Sequence, residues 1–497
     1  MNPVLRDLDA YPLWQAEDLG KPVPDDPHAV SVALPLWQHV VGYEEGDPAV
    51  IETFQAGYPR FFCHPKVEAL FAAARDQFAR AGDDVLVFPT EGAADRCRVY
   101  LKQKDGVEAS LAALGETGLH VVRFPEAARK TARFYWRISG DIVSSRLAEA
   151  ALANGLSDCR ADENASPAHR ILRERLAGLS GNRDEDVFLF PSGMCGVSSV
   201  HRALLAARPG RRCVQLDFPY VDVLKVQQEI GPGAVFLGTG NVEDLEWLEA
   251  LLRNDEVSGI YCEFPSNPLL RSVNLERVSK AARAAGVPLI VDDTIASVVN
   301  VDVYPFADAV TTSLTKYFSG VGNVMAGSVI LNRKSPFHDT FRRALQSDSV
   351  PLWHGDADVL EHNSRVFPDR MAKINAQAVD AYHRLKAHPA VAKVYFPLSQ
   401  TPELYQQAMR PGAGYGGLLS LILKDASQCP AFYDALKVTK GPSLGTNFSI
   451  ACPYTLLAHY TELPWAELCG VDRNLIRISI GVHGLGDSQL PRSVNGF

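Results

Sequence analysis

Short apolar segments alternate with longer amphipathic ones between residues 186 and 331. The short segments predict strands, whereas apolar positions that recur every three to four residues predict helices. The predicted strands are residues 187–190, 213–216, 234–237, 259–262, 289–291, 309–312 and 328–331. The predicted helices are residues 197–207, 244–252 and 275–285. This alternation is typical of βαβ units and predicts an α/β domain with a mostly parallel sheet.

The chain on either side of this region has a different pattern. Residues 1–165 show no steady alternation, and the proline-rich, acidic stretch at 21–27 predicts an extended arm. Towards the other end, a helix is predicted at 375–387 and strands at 416–423 and 475–480. We therefore predict three parts, an N-terminal arm or extension (1–165), a large α/β domain (166–335) and a smaller C-terminal α+β domain (336–497).

Composition and charge restrict the class of protein. Hydrophobic residues make up 46% and charged residues 22%, as in soluble globular proteins. The 49 Lys and Arg against 58 Asp and Glu give a net charge of -9, which argues against nucleic acid or an anionic membrane as a partner. Nine cysteines without C-x-x-C spacing argue against a disulfide framework or a zinc site. With no visible secretory signal or apolar run of roughly 20 residues, we expect a cytoplasmic protein, an organellar address being left open.

Lys316 follows the strand predicted at 309–312, in the segment Ser313-Leu314-Thr315-Lys316. Active sites of parallel α/β sheets lie at the carboxyl ends of the strands. A lysine there can form an imine with pyridoxal phosphate (PLP) and later move protons, and the neighbouring hydroxyls can bind the cofactor's phosphate. A surface lysine after a buried strand is the alternative.

Asp292 ends the apolar strand that begins at Leu289. A carboxylate in this position can pair with the ring nitrogen of PLP, which keeps the ring protonated and able to accept electrons from a substrate carbanion. Capping of a turn or helix by the aspartate is the alternative. Upstream, residues 191–194 join a strand to a helix, and backbone N–H groups at a helix start bind phosphate well. An ordinary strand–helix turn is the alternative there.

Two further polar side chains fit the same chemistry. Asn267 is held between prolines after a strand and can reach the phenolic oxygen of PLP, although a plain turn is the alternative. Arg477 in the strand predicted at 475–480 can bind a substrate α-carboxylate, and an exposed arginine on an edge strand is the alternative. The joint occurrence of these motifs in this order indicates a PLP enzyme. A NAD-binding Rossmann protein would need G-x-G-x-x-G, which residues 191–196 do not supply.

With these motifs the sequence resembles the Cys/Met-metabolism PLP-dependent enzyme family, which includes cystathionine γ-synthase, cystathionine lyases and O-acylhomoserine sulfhydrylases. The matching segments are SGM at 192–194, Tyr220 in DFPYVD, EFPSNPLL at 263–270, VDDT at 291–294, SLTK at 313–316, PSLG at 442–445 and RISIG at 477–481. The fungal type of cystathionine γ-synthase is similar over nearly the whole chain. Its further matches are HAVSVALPLW at 28–37, VGYEEG at 41–46, GYPRFF at 57–62, SGDIVSSRLAE at 139–149 and GTNFSIACPYTLLAHY at 445–460.

The resemblance implies a fold-type I, aspartate aminotransferase-like large domain, PLP as the cofactor and a role for each matching residue. Lys316 would be the Schiff-base lysine and proton shuttle, and Asp292 would pair with the ring nitrogen. Tyr220 would stack on the ring and act in catalysis, and Asn267 would touch the phenolic oxygen. The phosphate would be held by Ser192, Gly193, Met194, Ser313 and Thr315, and the substrate α-carboxylate by Ser443 and Arg477.

The resemblance also implies a homodimer or homotetramer whose active sites are shared between subunits, with the N-terminal extension contributing to the oligomer. A Tyr-x-Arg element normally reaches the phosphate of the neighbouring subunit. Arg160 has the expected spacing to Ser192 but lacks the tyrosine, whereas Tyr58 and Arg60 keep both residues far upstream. We favour Arg160 and keep Arg60 as the alternative.

Three other positions depart from the family pattern. Asp293 stands where an asparagine is usual, residues 319–323 replace a Gly-His-Ser-Asp segment, and His483 replaces a glutamate. The cofactor residues are retained, so these changes bear on the substrates. They keep open which nucleophile the enzyme uses.

The function implied is γ-replacement on an O-acyl-L-homoserine through a vinylglycine-type ketimine, with an amino-acid donor and a nucleophilic co-substrate. Cysteine is the expected nucleophile. The alternatives are the same donor with a carbon acid, such as a β-keto acid or ester, or with another thiol, and then a β/γ-lyase. A PLP-fold scaffold without activity is disfavoured because Lys316, Asp292 and Tyr220 are all present.

Overall fold

The computed structural model describes residues 6–157, 159 and 166–491. Within these residues the strands form three sheets, one in each of the N-terminal, middle and C-terminal parts of the chain. None of the helices in this described part is both long and apolar enough to cross a membrane.

The N-terminal part contains more regular structure than its sequence pattern predicted. Its helices are α1 (Trp37–Glu45), α2 (Pro48–Ile51), α3 (Pro65–Phe78), α4 (Glu91–Asp105), α5 (Arg129–Ser139) and α6 (Ser145–Ala153), and its strands are β1 (Asp83–Phe88), β2 (Ser110–Ala113) and β3 (His120–Pro125). The strands pair antiparallel in the order β1-β3-β2. Its apolar side chains share one core with helix α8 of the middle part (Gly193–Ala207), so this region packs firmly on the large domain.

The middle part is the predicted α/β domain. Its strands are β4 (Val187–Phe190), β5 (Arg212–Leu216), β6 (Ala234–Leu237), β7 (Val257–Glu263), β8 (Leu289–Asp292), β9 (Ala309–Ser313) and β10 (Gly327–Leu331). Its helices, besides α8, are α7 (Ala168–Ser180), α9 (Val221–Glu229), α10 (Val242–Arg253) and α11 (Leu275–Ala285). Across this described sheet the order is β4-β10-β9-β8-β7-β5-β6, and β10 alone runs antiparallel to its neighbours. The prediction of a mostly parallel sheet is therefore confirmed.

The C-terminal part is built on a mainly antiparallel sheet. Its strands are β11 (Val391–Tyr395), β12 (Leu418–Leu423), β13 (Thr439–Lys440), β14 (Ile450–Pro453) and β15 (Ile476–Ser479), in the order β11-β12-β15-β14-β13. Its helices are α12 (His338–Ser347), α13 (His354–Ser364), α14 (Phe367–Ala387), α15 (Pro397–Gln400), α16 (Pro402–Gln406), α17 (Cys429–Ala435), α18 (Tyr454–His459) and α19 (Leu463–Leu468). The predicted helix and both predicted strands are present, and the α+β character is confirmed.

The N-terminal segment before α1 lies along the edge strand β13. The amide of Leu34 donates to Lys440 O at 3.0 Å, and the amide of Leu13 donates to the Thr439 hydroxyl at 3.2 Å. The Lys440 side chain is fully buried, and its Nζ donates to the carbonyl oxygens of Pro35 and Asp434, both at 2.9 Å. Backbone hydrogen bonds and one buried amine therefore hold this segment on the C-terminal domain.

Burial lowers the pKa of Lys440 from 10.5 to about 7. Between these pH values the folded chain keeps the amine neutral while the unfolded chain protonates it, so the free energy of unfolding should rise with pH by up to about 1.4 kcal/mol per unit. Lys440→Met removes this contribution. Urea unfolding of both proteins from pH 6 to pH 9 should show a steeper rise for the wild type above pH 7. Parallel pH profiles would contradict the prediction.

Candidate active site

One cavity lies where the carboxyl ends of β7, β8 and β9 meet the C-terminal domain. It is lined by many of the residues predicted from sequence, namely Gly193, Met194, Tyr220, Asn267, Asp292, Ser313, Lys316, Ser443 and Arg477. The carboxylate of Asp292 and the amine of Lys316 face the same enclosed space, which is the arrangement that the imine hypothesis requires. Tyr43, Tyr58 and Arg60 add a wall from the N-terminal part.

Lys316 lies just beyond β9 with its side chain buried. Its Nζ donates to Ser443 Oγ at 3.1 Å and stands 4.4 Å from the centre of the Tyr58 ring. Burial lowers the pKa of Lys316, which favours the neutral amine that forms an imine. Burial alone would raise the pKa of the Tyr58 hydroxyl, but interaction with the nearby Lys316 and Arg60 side chains lowers it below its ordinary value.

Asp292 ends strand β8 and Asp293 follows it, and the two carboxylates have different surroundings. The Asp292 carboxylate accepts from the amide of Thr294 at 2.9 Å and from the hydroxyl of Thr311 at 3.0 Å, and burial raises its pKa. The Asp293 carboxylate accepts from the hydroxyl of Thr312 at 2.5 Å, and burial raises its pKa to about 7. Asp292 lines the cavity, whereas Asp293 is not among the described residues that line it.

The turn before helix α8 brings backbone amides to the cavity. Ser192 caps this helix, because its hydroxyl accepts from Cys195 N at 3.0 Å and donates to Gly140 O at 2.8 Å. Gly193 packs so closely on Ser313 that an added Cβ would lie 2.9 Å from the Ser313 Cβ. A helix N-terminus with close backbone approach is a suitable site for a phosphate.

Two of the hydroxyls predicted to bind the phosphate already form hydrogen bonds within the protein. The Ser192 hydroxyl bonds the backbone, as described, and the buried Thr315 hydroxyl lies between Ala326 O at 3.2 Å and Ala326 N at 3.1 Å. Of the three predicted hydroxyls, the one that lines the cavity is that of Ser313. Direct phosphate contacts from Ser192 and Thr315 stay predictions.

Arg477 is buried on β15 and points into the cavity. Its guanidinium donates to Ser443 O at 2.9 Å and to Asn267 Oδ1 at 3.2 Å, and it lies 4.6 Å from the centre of the Tyr454 ring. Ser443 adopts a φ of 122°, a conformation that is strained for a residue with a side chain. The Ser443 hydroxyl and carbonyl are thereby aimed at Lys316 and Arg477, respectively.

A cluster of charged residues, of which the sequence motifs had pointed to Arg60, holds Tyr220 in place. Arg60 Nη2 donates to this hydroxyl at 2.5 Å, and Arg60 also forms a buried ion pair with Asp222. Arg137 binds the other oxygen of Asp222, with its Nη2 at 2.8 Å. Glu263 accepts from the amides of Tyr220 at 2.6 Å and of Asn267 at 3.1 Å. These contacts fix the loops that carry two of the predicted cofactor residues.

The structure brings Arg60, the second of our two arginine candidates, to the cavity of its own chain. The Tyr-x-Arg pattern at 58–60 was the signal that pointed to it. Arg160 lies outside the described residues, so its role stays a prediction. Asp222 had a weaker signal, the acidic residue two positions after Tyr220 in DFPYVD.

Comparison with protein families agrees with this geometry. The model of the Cys/Met metabolism PLP-dependent enzyme family matches residues 160–488. The chain belongs to this family. A second model, that of the N-terminal domain of fungal trans-sulfuration enzymes, matches residues 66–144, where the structure has β1–β3 and helices α3–α5. The resemblance predicted from the motifs is thus confirmed, and with it the fold type, the enzyme class and PLP as the cofactor.

Individual relatives cover nearly the whole chain. Cystathionine γ-synthase of Neurospora crassa is 34% identical over 94% of this chain and 96% of its own length. The cystathionine γ-synthase-like enzyme iboG1 of Amanita muscaria is 32% identical over 95% of this chain and 96% of its own. Among solved structures, cystathionine γ-synthase of Xanthomonas oryzae, with aminoacrylate and cysteine bound, is 25% identical with a TM-score of 0.56, over 64% of this chain and 82% of that one.

The side chains at the cavity fit PLP. A buried amine, a half-buried carboxylate and a helix N-terminus line one space, and they supply the partners that the aldehyde, the ring nitrogen and the phosphate of the cofactor need. Tyr220 adds an aromatic ring held by Arg60. Lys316 would hold the aldehyde carbon, Asp292 the ring nitrogen, and the amides of Gly193 and Met194 the phosphate.

Proposed function

We propose that this enzyme replaces the γ-acyloxy group of an O-acyl-L-homoserine with the thiol of cysteine, forming cystathionine. The observation that carries the proposal is the buried Lys316 amine between Ser443 and Tyr58, in one cavity with Asp292 and Arg477. The 34% identity with a fungal cystathionine γ-synthase over almost the full length supports the choice of reaction.

Each side chain has a task in this reaction. Bound PLP supplies the electron sink that makes the α- and β-protons of the donor acidic. The Lys316 amine takes the α-proton and returns a proton to the substrate, because burial lowers its pKa and so favours the neutral amine that can accept a proton. Arg477 binds the α-carboxylate and orients the donor. Tyr58 and Tyr220 line the same cavity, and we assign to their hydroxyls the removal of the proton from the incoming thiol, while the acyloxy group leaves as a carboxylate.

Arg477→Lys should weaken donor binding selectively. Lysine keeps the charge but loses the planar fork that binds Asn267, Ser443 and a carboxylate together. We expect the KM for the donor to rise about 30- to 100-fold, because hydrogen bonds to charged groups contribute ~1.5–3 kcal/mol. Steady-state kinetics with varied donor measure this, with the KM for the nucleophile as internal control. An unchanged donor KM would contradict the assignment.

Product analysis tests the proposed function directly. Purified enzyme is incubated with O-acetyl-L-homoserine and cysteine, and cystathionine is measured by mass spectrometry, with Lys316→Ala as the inactive control. The O-succinyl donor is run in parallel to identify the acyl group. Absence of cystathionine with both donors would overturn the proposal for cysteine.

A carbon acid is the second candidate for the nucleophile. The relatives include enzymes named only as cystathionine γ-synthase-like, among them ankD of Aspergillus thermomutatus, which is 33% identical over 95% of this chain. The same incubation with acetoacetate in place of cysteine should then yield a product with a new carbon–carbon bond. Formation of a 2-oxo acid and ammonia without any nucleophile would instead identify a lyase.

A further inference from the structure

A second, open cleft lies beside the active-site cavity, on the N-terminal part of the chain. Residues of helices α4 and α5 form most of it, and Glu229 at the end of α9 closes one side. Its volume is about 540 Å³, which suits a metabolite rather than a single inorganic ion. Arg60 and Phe61 line both this cleft and the active-site cavity, so one wall separates the two.

The cleft is rich in cations although the chain as a whole is acidic. Its lining contains five basic residues, Arg60, Lys104, Lys130, Arg133 and Arg137, against two acidic ones, Asp105 and Glu229. Such a local excess in a protein with a net charge of -9 attracts small anions. Several of the cations are already paired, as Lys104 with Glu229 at 2.7 Å and Arg133 with Glu68 at 2.9 Å. Lys130 is exposed and forms no ion pair with the described residues.

Aromatic rings and one unsatisfied donor complete the lining. Trp136 is 3% exposed, and its indole N–H has no partner among the described residues. Buried donors are normally paired, so this group has hydrogen-bonding capacity for a ligand. The rings of Phe61 and Phe134 also face the cleft, and the Arg137 guanidinium stands 4.5 Å from the centre of the Phe61 ring. Cations, flat apolar rings and a neutral donor together suit a small organic acid better than phosphate or sulfate.

The cleft is connected to the catalytic tyrosine by a short chain of contacts. Arg137 at the cleft binds Asp222, Asp222 binds Arg60, and Arg60 donates to the Tyr220 hydroxyl at 2.5 Å. A carboxylate at Arg137 competes with Asp222 for this guanidinium. A carboxylate bound at Arg137 would thus act on the Tyr220 hydroxyl through these two ion pairs.

We propose that this cleft binds a small, carboxylate-bearing organic molecule, and that its occupancy acts on the active site through Arg137, Asp222 and Arg60. The ligand is either the nucleophilic co-substrate or an effector that is not consumed. The role of this ligand in turnover rests on the proposed function, whereas its binding to the cleft can be tested without it.

Calorimetric titration of the holoenzyme measures binding independently of turnover. The probes are acetoacetate and 2-oxoglutarate. Methyl acetoacetate, the uncharged ester of acetoacetate, is the control compound. The test variant is Lys104→Gln/Lys130→Gln, which removes two exposed charges of the cleft. The control is Lys280→Gln/Lys373→Gln, which makes the same change of charge at exposed lysines outside both cavities.

We expect saturable binding of at least one of the two acids, no binding of the ester, and a dissociation constant raised at least about fivefold in the test variant but not in the control. Equal affinity of the ester, equal affinity of the two variants, or no saturable binding would overturn the proposal.

Kinetics with the same variants show whether the bound ligand is the nucleophilic co-substrate or an effector. A co-substrate site is indicated if the KM for the nucleophile rises in the test variant while the KM for the donor stays constant. An effector site is indicated if an acid that is not consumed changes kcat/KM for the donor in the wild type but not in the test variant. Failure of γ-replacement with every nucleophile would refute the proposed function and leave the calorimetric result standing.

Discussion

Replacing Lys316 with alanine is expected to abolish the visible absorbance of the bound cofactor and to lower kcat by about 10³-fold or more. The reason is that the same buried amine both holds the aldehyde and moves the proton. Its contacts with Ser443 and the Tyr58 ring show that it already lies among the residues proposed to bind the substrate. Absorbance of the purified protein and single-turnover kinetics measure the two effects separately.

Lys316→Arg serves as the matched control, because it keeps the positive charge but is unable to form an imine or act as a base at neutral pH. It should be as inactive as the alanine variant. Full activity of either variant, or retention of the imine absorbance, would mean that another lysine carries the cofactor. The buried Lys440 would then be the first to examine, although it lies at β13 and bonds to backbone carbonyls.

Replacing Arg60 with methionine should have the second largest effect, on both stability and turnover. Arg60 is 4% exposed, and its removal leaves the buried carboxylate of Asp222 with Arg137 as its remaining cation. Breaking a buried ion pair by removing one partner destabilises by about 3 kcal/mol or more. The Tyr220 hydroxyl loses its charged donor as well, so we expect kcat to fall about 10²-fold. Urea unfolding and steady-state kinetics measure the two losses.

The double variant Arg60→Met/Asp222→Asn separates these effects. Neutralising Asp222 removes the buried carboxylate that has lost one of its two cations, so stability should partly return, although Arg137 then loses its ion pair. Activity should stay low, because Tyr220 still lacks its donor. Arg137→Met is the comparison variant, since Arg137 binds Asp222 without touching Tyr220 in the described contacts, and its kcat should fall less. Recovery of kcat in the double variant would show that Arg60 acts through folding alone.

The α/β domain was predictable because its strands are largely buried, at the edge strand β4 as well as at the central strand β8. Strands such as Val187–Phe190 and Leu289–Asp292 are continuous apolar runs, and helix Leu275–Ala285 has the expected spacing. The N-terminal sheet was not predictable in the same way. Strand β2 is half exposed, and β1 begins with two aspartates, of which Asp84 is buried only because Arg75 and Arg129 pair with it. Such pairing depends on tertiary contacts that local pattern does not show.

In the candidate site, too, some residues could be predicted from their position in the pattern, whereas others depend on tertiary contacts. Lys316, Asp292 and the turn at 191–194 stand at strand ends, where parallel sheets place their active sites, so position in the pattern was sufficient. Asp222 binds Arg60 and Arg137, and Glu263 binds the amide of Tyr220, so their roles depend on groups that are distant in sequence. Arg60 was ambiguous because it lies 160 residues from the Tyr220 that it contacts.

The ion pair between Arg60 and Asp222 crosses the predicted boundary between the N-terminal extension and the large domain. Hybrid enzymes that join the first part of one relative to the second part of another would therefore assemble a mismatched catalytic pocket wherever either residue differs. Engineers who wish to alter substrate preference should exchange both parts as one block, or redesign this contact first.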